Sequence, residues 1–198
     1  MKVLAKTRKA HYWNEDRFII GNNFLMVIDG ASPLIKNNSF NEARWLVSYL
    51  KKKLSKSSKN ISNKLMYLSK KAYEDLPSIN KSELYLPSAC ISWVEWDIDK
   101  YYVGILGDCE VTCVTNENKI LRCYDDSLNI LDKKAINKMV LIAEEKQIDV
   151  LKARPFINDL LIENRKLMNT ESGYNVFAIG KSPKFNIKKY EFRKEDIK

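Results

Sequence analysis

Phe24-Leu25-Met26-Val27-Ile28-Asp29-Gly30-Ala31-Ser32-Pro33-Leu34 is the stretch on which the fold of this chain turns. Its five leading apolar residues form a short continuous run, which predicts a central strand. Asp29-Gly30 closes the run. Residues 29–39, with Gly, Pro and Asn among them, predict a loop. Just upstream, Arg17 to Ile20 predicts a partner strand, joined through a tight turn at Asn22-Asn23. Val3 to Lys6 suggests a further short strand.

Downstream, Phe40, Ala43, Val47, Leu50 and Leu54 recur at helical spacing, which predicts a helix over 41–54 with Ser39 as its N-cap. Lys56 to Lys59 is a polar break. Ile61, Leu65, Leu68 and Ala72 then mark a second helix over 61–76. From Ala89 the period changes to that of strands. The runs 89–96, 101–106, 110–115 and 119–124 suggest an antiparallel meander, with turns at 97–100, Gly107-Asp108 and 116–118. Helical spacing returns over 133–145 and 148–168, interrupted near Pro155. Tyr174 to Ile179 and Phe185 to Phe192 suggest two last strands. Strands come in blocks and do not alternate strictly with helices. That pattern predicts an α+β fold with helices packed on antiparallel sheets. No repeat or linker divides the chain, so residues 1–198 form a single expected domain.

Composition narrows the function. With 45% hydrophobic residues, the 198-residue chain can bury a core. No run approaches the ~18–20 apolar residues of a membrane span. The basic start, Met1 to Lys6, has no apolar stretch of the signal-peptide kind, so the expected location is cytoplasmic. Cys90, Cys109, Cys113 and Cys123 form no C-x-x-C pair, and His11 is the single histidine. Reduced thiols are expected in place of a zinc site. The net charge of +9 is mostly lysine, spread along the chain with one dense patch over 51–59. That pattern suits a solvated surface and argues against nucleic-acid binding. It would also favour a phosphorylated substrate. Asp125-Asp126 and Glu144-Glu145 are expected to be solvated surface pairs.

Three acidic signals lie at bends beside apolar runs: Asn14-Glu15-Asp16, Asp29-Gly30 and Gly107-Asp108. Oxygen donors with almost no imidazole or paired thiolate suit Mg2+ or Mn2+. A bound divalent ion lowers the pKa of coordinated water and so supplies a nucleophile without a Ser-His or Cys-His pair.

The ordered set Asn14-Glu15-Asp16, Asp29-Gly30, Pro87-Ser88-Ala89-Cys90 and Gly107-Asp108-Cys109-Glu110 resembles the metal-dependent PP2C (PPM) serine/threonine phosphatases. Asp29 to Leu34, Arg165 to Asn169 and Gly173 to Val176 resemble a divergent bacterial branch of that family. The resemblance implies a PP2C-like α-β-β-α sandwich, two antiparallel sheets flanked by helices with the metals at one end. It implies that Asp29 bridges two metals, that the Gly30 carbonyl is a ligand, and that Glu15 holds a metal through water with Asp16 beside it. Asp108 matches an aspartate that serves a further metal in some members. The family's phosphate-binding arginine falls at His11, so His11 or nearby Arg8 would bind substrate phosphate. Ala31 stands where many members carry a histidine general acid, which leaves His11 for that role beside the catalytic Asp29.

The family's later Ser-Asp-Gly and Asp-Asn aspartates have no match after Tyr174, as if the C-terminal part were lacking. A sheet edge left unpaired would favour dimers. The implied activity is hydrolysis of phosphoserine and phosphothreonine by metal-activated water. The alternative is a PP2C-like pseudophosphatase, weak or inactive, that acts as a binding module for a phosphorylated protein.

Overall fold

The computed structural model describes residues 3–7, 14–34, 41–55, 60–77, 86–181 and 183–198. Two strands open the fold, β1 (Asp16–Ile20) and β2 (Phe24–Ala31), followed by helices α1 (Glu42–Leu54) and α2 (Ile61–Asp75). Next come β3 (Ser88–Trp96), β4 (Lys100–Leu106), β5 (Val111–Val114) and β6 (Ile120–Cys123). Helix α3 (Asn129–Lys146), a 3-10 segment over Val150–Ile157 and helix α4 (Asn158–Lys166) precede β7 (Phe177–Ala178) and β8 (Lys188–Arg193). The main sheet is antiparallel, in the order β1-β2-β3-β4-β8, with β7 paired to β3; β5 and β6 form a second, two-stranded sheet. The chain is thus α+β, with two antiparallel sheets flanked by four helices among the described residues.

The core sits between the main sheet and the first two helices. Phe24, Met26 and Ile28 alternate onto one face of β2 and pack with Leu46, Leu50 and Leu54 of α1 and Ile61, Leu65 and Leu68 of α2. A strand that alternates its side chains and a helix with one apolar stripe meet here as period predicts. Asn41 caps α1 in place of the expected Ser39. Its Oδ1 accepts from the Arg44 amide at 2.7 Å, with extended backbone at the cap itself. Ser39 and Phe40 lie outside the described residues, as does the break at 56–59. Lys51, Lys52 and Lys53 fill the last turn of α1, where cations complement its dipole.

Several expectations are corrected. Residues 3–7 carry no regular secondary structure. The strand after Phe24 does not stop at Ile28 but runs on through Ala31, because Asp29, Gly30 and Ala31 still pair with Cys90, Ala89 and Ser88. Gly30 is required by packing and not by a turn. A Cβ there would lie 2.7 Å from Val47 Cγ1 and 2.8 Å from the Glu15 carbonyl oxygen. The meander is broken in two at Gly107, whose φ of +91° turns the chain out of the ladder. Beyond it, β5 and β6 pair only with each other among the named strands. They cover the second face of the sheet near β4 and β8, around Val103, Ile105 and Cys123. Of the run 174–179, only Phe177 and Ala178 join the sheet.

Replacing Leu50 by Ala removes a fully buried side chain from the main core. The expected cost is about 2–5 kcal/mol, seen as a lower urea midpoint at unchanged slope.

Candidate active site

The acidic site is built by strand register. Residues opposite each other in an antiparallel ladder share a face, with Cα atoms about 4.5–5.5 Å apart. Asp16 stands opposite Asp29, and Asp29 opposite Cys90. Ile91 stands opposite Leu106, so the row continues to Gly107 just past β4, with Asp108 next in sequence. One end of the sheet therefore gathers Asp16, Asp29 and Asp108.

The bend before β1 is held by its own backbone and by α1. Asn14 Oδ1 accepts from the Asp16 amide at 2.8 Å. Arg17 donates to the carbonyls of Asn14 and Asp16 at 2.9 and 2.7 Å and to Ser48 Oγ at 3.1 Å. The Gly30 amide donates to the Glu15 carbonyl at 3.0 Å, tying this bend to the end of β2. Glu15 Oε1 accepts from Ser32 Oγ at 3.1 Å and from Asn41 Nδ2 at 2.6 Å. The residue that caps α1 thus also orients Glu15.

The crowding of carboxylates is visible in their acidity. Burial pushes Asp29 up to about 6, helped by the charge and hydrogen bond of Asp16 and by the charges of Asp108 and Glu15. Burial, then Asp108, Asp29 and Asp16, pushes the Cys109 thiol up to about 12. Cys90 is raised as well, by burial first and then by Asp108, to which it is hydrogen-bonded. Both stay protonated near neutrality, so neither supplies a thiolate nucleophile or soft metal donor. All four cysteines are free thiols.

Sequence reasoning missed one member of this neighbourhood. Asp132, in the first turn of α3, is raised by desolvation and then by the charge of Asp108. Its helical position tied it to no strand end, and only the tertiary fold brings it near. His11 and Arg8 lie outside the described residues. Ala31 ends β2 opposite Ser88 and brings no titratable group. Among the described residues, no three His, Cys, Asp or Glu side chains converge as a ready-made metal shell.

Asp125 departs from the expectation of a solvated pair, while Asp126 is exposed. The Asp125 side chain is buried and lies 3.2 Å from Lys188 Nζ, which also reaches Asp126 at 3.1 Å. A shared lysine bridges the pair and ties β8 to the segment before α3. Glu144 and Glu145 are exposed, as predicted.

The structure matches solved bacterial phosphatases over nearly its whole length. The serine/threonine phosphatase Stp1 from Staphylococcus aureus superposes with a TM-score of 0.53 at 12% identity, covering 97% of this chain and 70% of that one. A bacterial serine phosphatase bearing a point substitution gives 0.54 at 10% identity, with the same coverages. The fold is that of the PP2C-type serine/threonine phosphatases. At these identities the likeness is one of fold alone. No protein-family model and no curated protein matches the sequence.

A carboxylate raised in the native state favours folding while protonated and loses that contribution as pH rises through its folded pKa. Metal-free protein should therefore lose stability between about pH 4 and pH 6 through Asp29. Asp29→Asn should flatten that slope and raise the melting temperature in chelator at pH 7.5. Thermal melts across pH, with and without the substitution, measure both effects.

Proposed function

We propose that this chain is a PP2C-like, metal-dependent phosphoprotein phosphatase acting on phosphoserine and phosphothreonine. The observation that carries the reading is the gathering of Glu15, Asp16, Asp29 and Asp108 at one end of the sheet, within a fold shared with bacterial serine/threonine phosphatases. The donor chemistry fits a hard divalent cation, Mn2+ or Mg2+. Its charged groups are carboxylates, its neighbouring thiols stay protonated, and the mutual repulsion at Asp29 is the kind a cation relieves.

Glu15, Asp16, Asp29, Asp108 and the Gly30 carbonyl would hold the metal. When bound, such a cation supplies Lewis acidity toward water and phosphate oxygens. The chain's own residues fix the geometry. Ser32 and Asn41 orient Glu15, and Arg17 locks the bend that carries Asp16. His11 or Arg8 would bind substrate phosphate, and His11 would serve as the acid. The lysine-rich surface, +9 overall, draws in a phosphorylated protein. No helix among the described residues is long and apolar enough to cross a membrane, and the cytoplasm is the proposed location.

A second reading has its own support. His11 stands where the family resemblance places a phosphate-binding arginine, and Ala31 where it places a histidine general acid. Those two replacements favour a pseudophosphatase that binds phosphoprotein with little turnover.

Calorimetric titration with Mn2+, paired with hydrolysis of an aryl phosphate, separates the two. An active enzyme shows saturable Mn2+ binding and Mn2+-dependent hydrolysis, and Asp29→Asn abolishes both. A folded protein that binds a phosphopeptide yet takes up no Mn2+ and turns nothing over rejects catalysis. Hydrolysis at full rate in chelator rejects the metal centre.

A further inference from the structure

Helix α3 keeps apolar residues on more than one side. Ala135, Ile142 and Ala143 are buried against the 3-10 segment and α4. Ile130 is nevertheless 76% exposed and Leu141 61%, and across from them Phe156 is 56% exposed. Single exposed apolar residues are ordinary, but here they line one groove of about 750 Å3 between α3 and the start of α4.

Ile130, Lys134, Asn137 and Leu141 follow one another at helical spacing along the groove wall, three turns or about 16 Å. Lys146 Nζ lies 4.9 Å from the ring centroid of Phe156 and steadies it. Lys133, Lys134 and Lys138 stand on the rim, exposed and outside every ion pair among the described residues; Asp159 is the one acid in the lining.

An apolar floor with a cationic rim calls for an occupant that is apolar on one side and acidic on the other. We propose that this groove docks an acidic amphipathic segment of a partner protein, a helix with apolar anchors at i, i+3 or i+4, and i+7. Concavity favours a peptide over a lipid surface, which takes a protruding apolar face. The groove lies outside the acidic row, and the proposal does not depend on phosphatase activity.

The probe is a fluorescein-labelled peptide of about four helical turns, with Leu at the anchor positions and Glu at most others. Its controls are the same peptide with Lys for Glu, a scrambled peptide, and vesicles of phosphatidylcholine with phosphatidylserine. Lys134→Glu/Lys138→Glu and Leu141→Ser change exposed positions, and circular dichroism checks that each variant folds. In fluorescence anisotropy the Glu peptide should bind saturably and more weakly as salt rises. Charge reversal should weaken it about tenfold or more, and Leu141→Ser should weaken it too. Absence of Glu-peptide binding, equal binding of the Lys or scrambled peptide, indifference to charge reversal, or binding to vesicles alone overturns the proposal.

Discussion

The acidic site hangs on the register of β2. Phe24, Met26 and Ile28 are drawn into the core beneath α1 and α2, so the alternate residues Leu25, Val27 and Asp29 are forced onto the other face. A slip of one residue would put the Asp29 carboxylate into that core and the three large apolar side chains outside. Hydrophobic burial that never touches the acidic cluster therefore decides where Asp29 points. The same register sets Asp16 on one side of it and Cys90 on the other. Close packing of α1 against Gly30 seals the end of the strand, since a Cβ there would strike Val47.

This arrangement opposes local electrostatic preference. Three carboxylates, Asp16, Asp108 and Glu15, stand close enough to act on Asp29 in a protein whose net charge is strongly positive. Left to themselves, such groups would spread apart. They are kept together because their backbones are committed elsewhere: Asp16 and Asp29 to the ladder, Glu15 to Gly30, and Asp108 to the turn that Gly107 permits. Local unfavourable choices embedded in an otherwise consistent sequence are the usual mark of a functional site.

How much of this was legible in the sequence depended on the range of the forces involved. β2, both N-terminal helices and the β3–β4 hairpin were written in local periodicity and were found nearly where expected. Asp29-Gly30 was misjudged because Asp-Gly after an apolar run is a common turn signal. Here the glycine answers to a helix packed across the strand, which no local pattern records. Gly107 was recognised as a turn, but its consequence was not: the chain leaves the sheet there, and the supposed meander becomes two separate pairings. Asp108 and Asp29 announced themselves by sitting at strand ends. Asp132 and the Glu15 partners Ser32 and Asn41 did not: Asp132 lay just ahead of the expected helix over 133–145, Ser32 in the expected loop, and Asn41 at the first position of a helix whose expected cap was Ser39.

Apolar surface shows the same limit from the other side. Periodicity says which face of an element is apolar, not what covers it. On the helix side of the main sheet the apolar rows of β2 and β3 pack against α1 and α2. On the opposite side the β5–β6 hairpin covers the region near β4 and β8, while Ile20 and Val27, on one face of β1 and β2, stay 51% and 50% exposed. Exposed Ile130, Leu141 and Phe156 belong to the α3–α4 unit, whose buried cluster is separate from the main core. Uncovered apolar surface thus includes the far face of β1 and β2 and the outer side of α3. A continuous apolar pattern on such an element is satisfied by burial of any kind, within the chain or against another. In α3 the lysines at the groove rim bias that choice, because they complement an acidic surface and the neighbouring helix carries one aspartate to meet them.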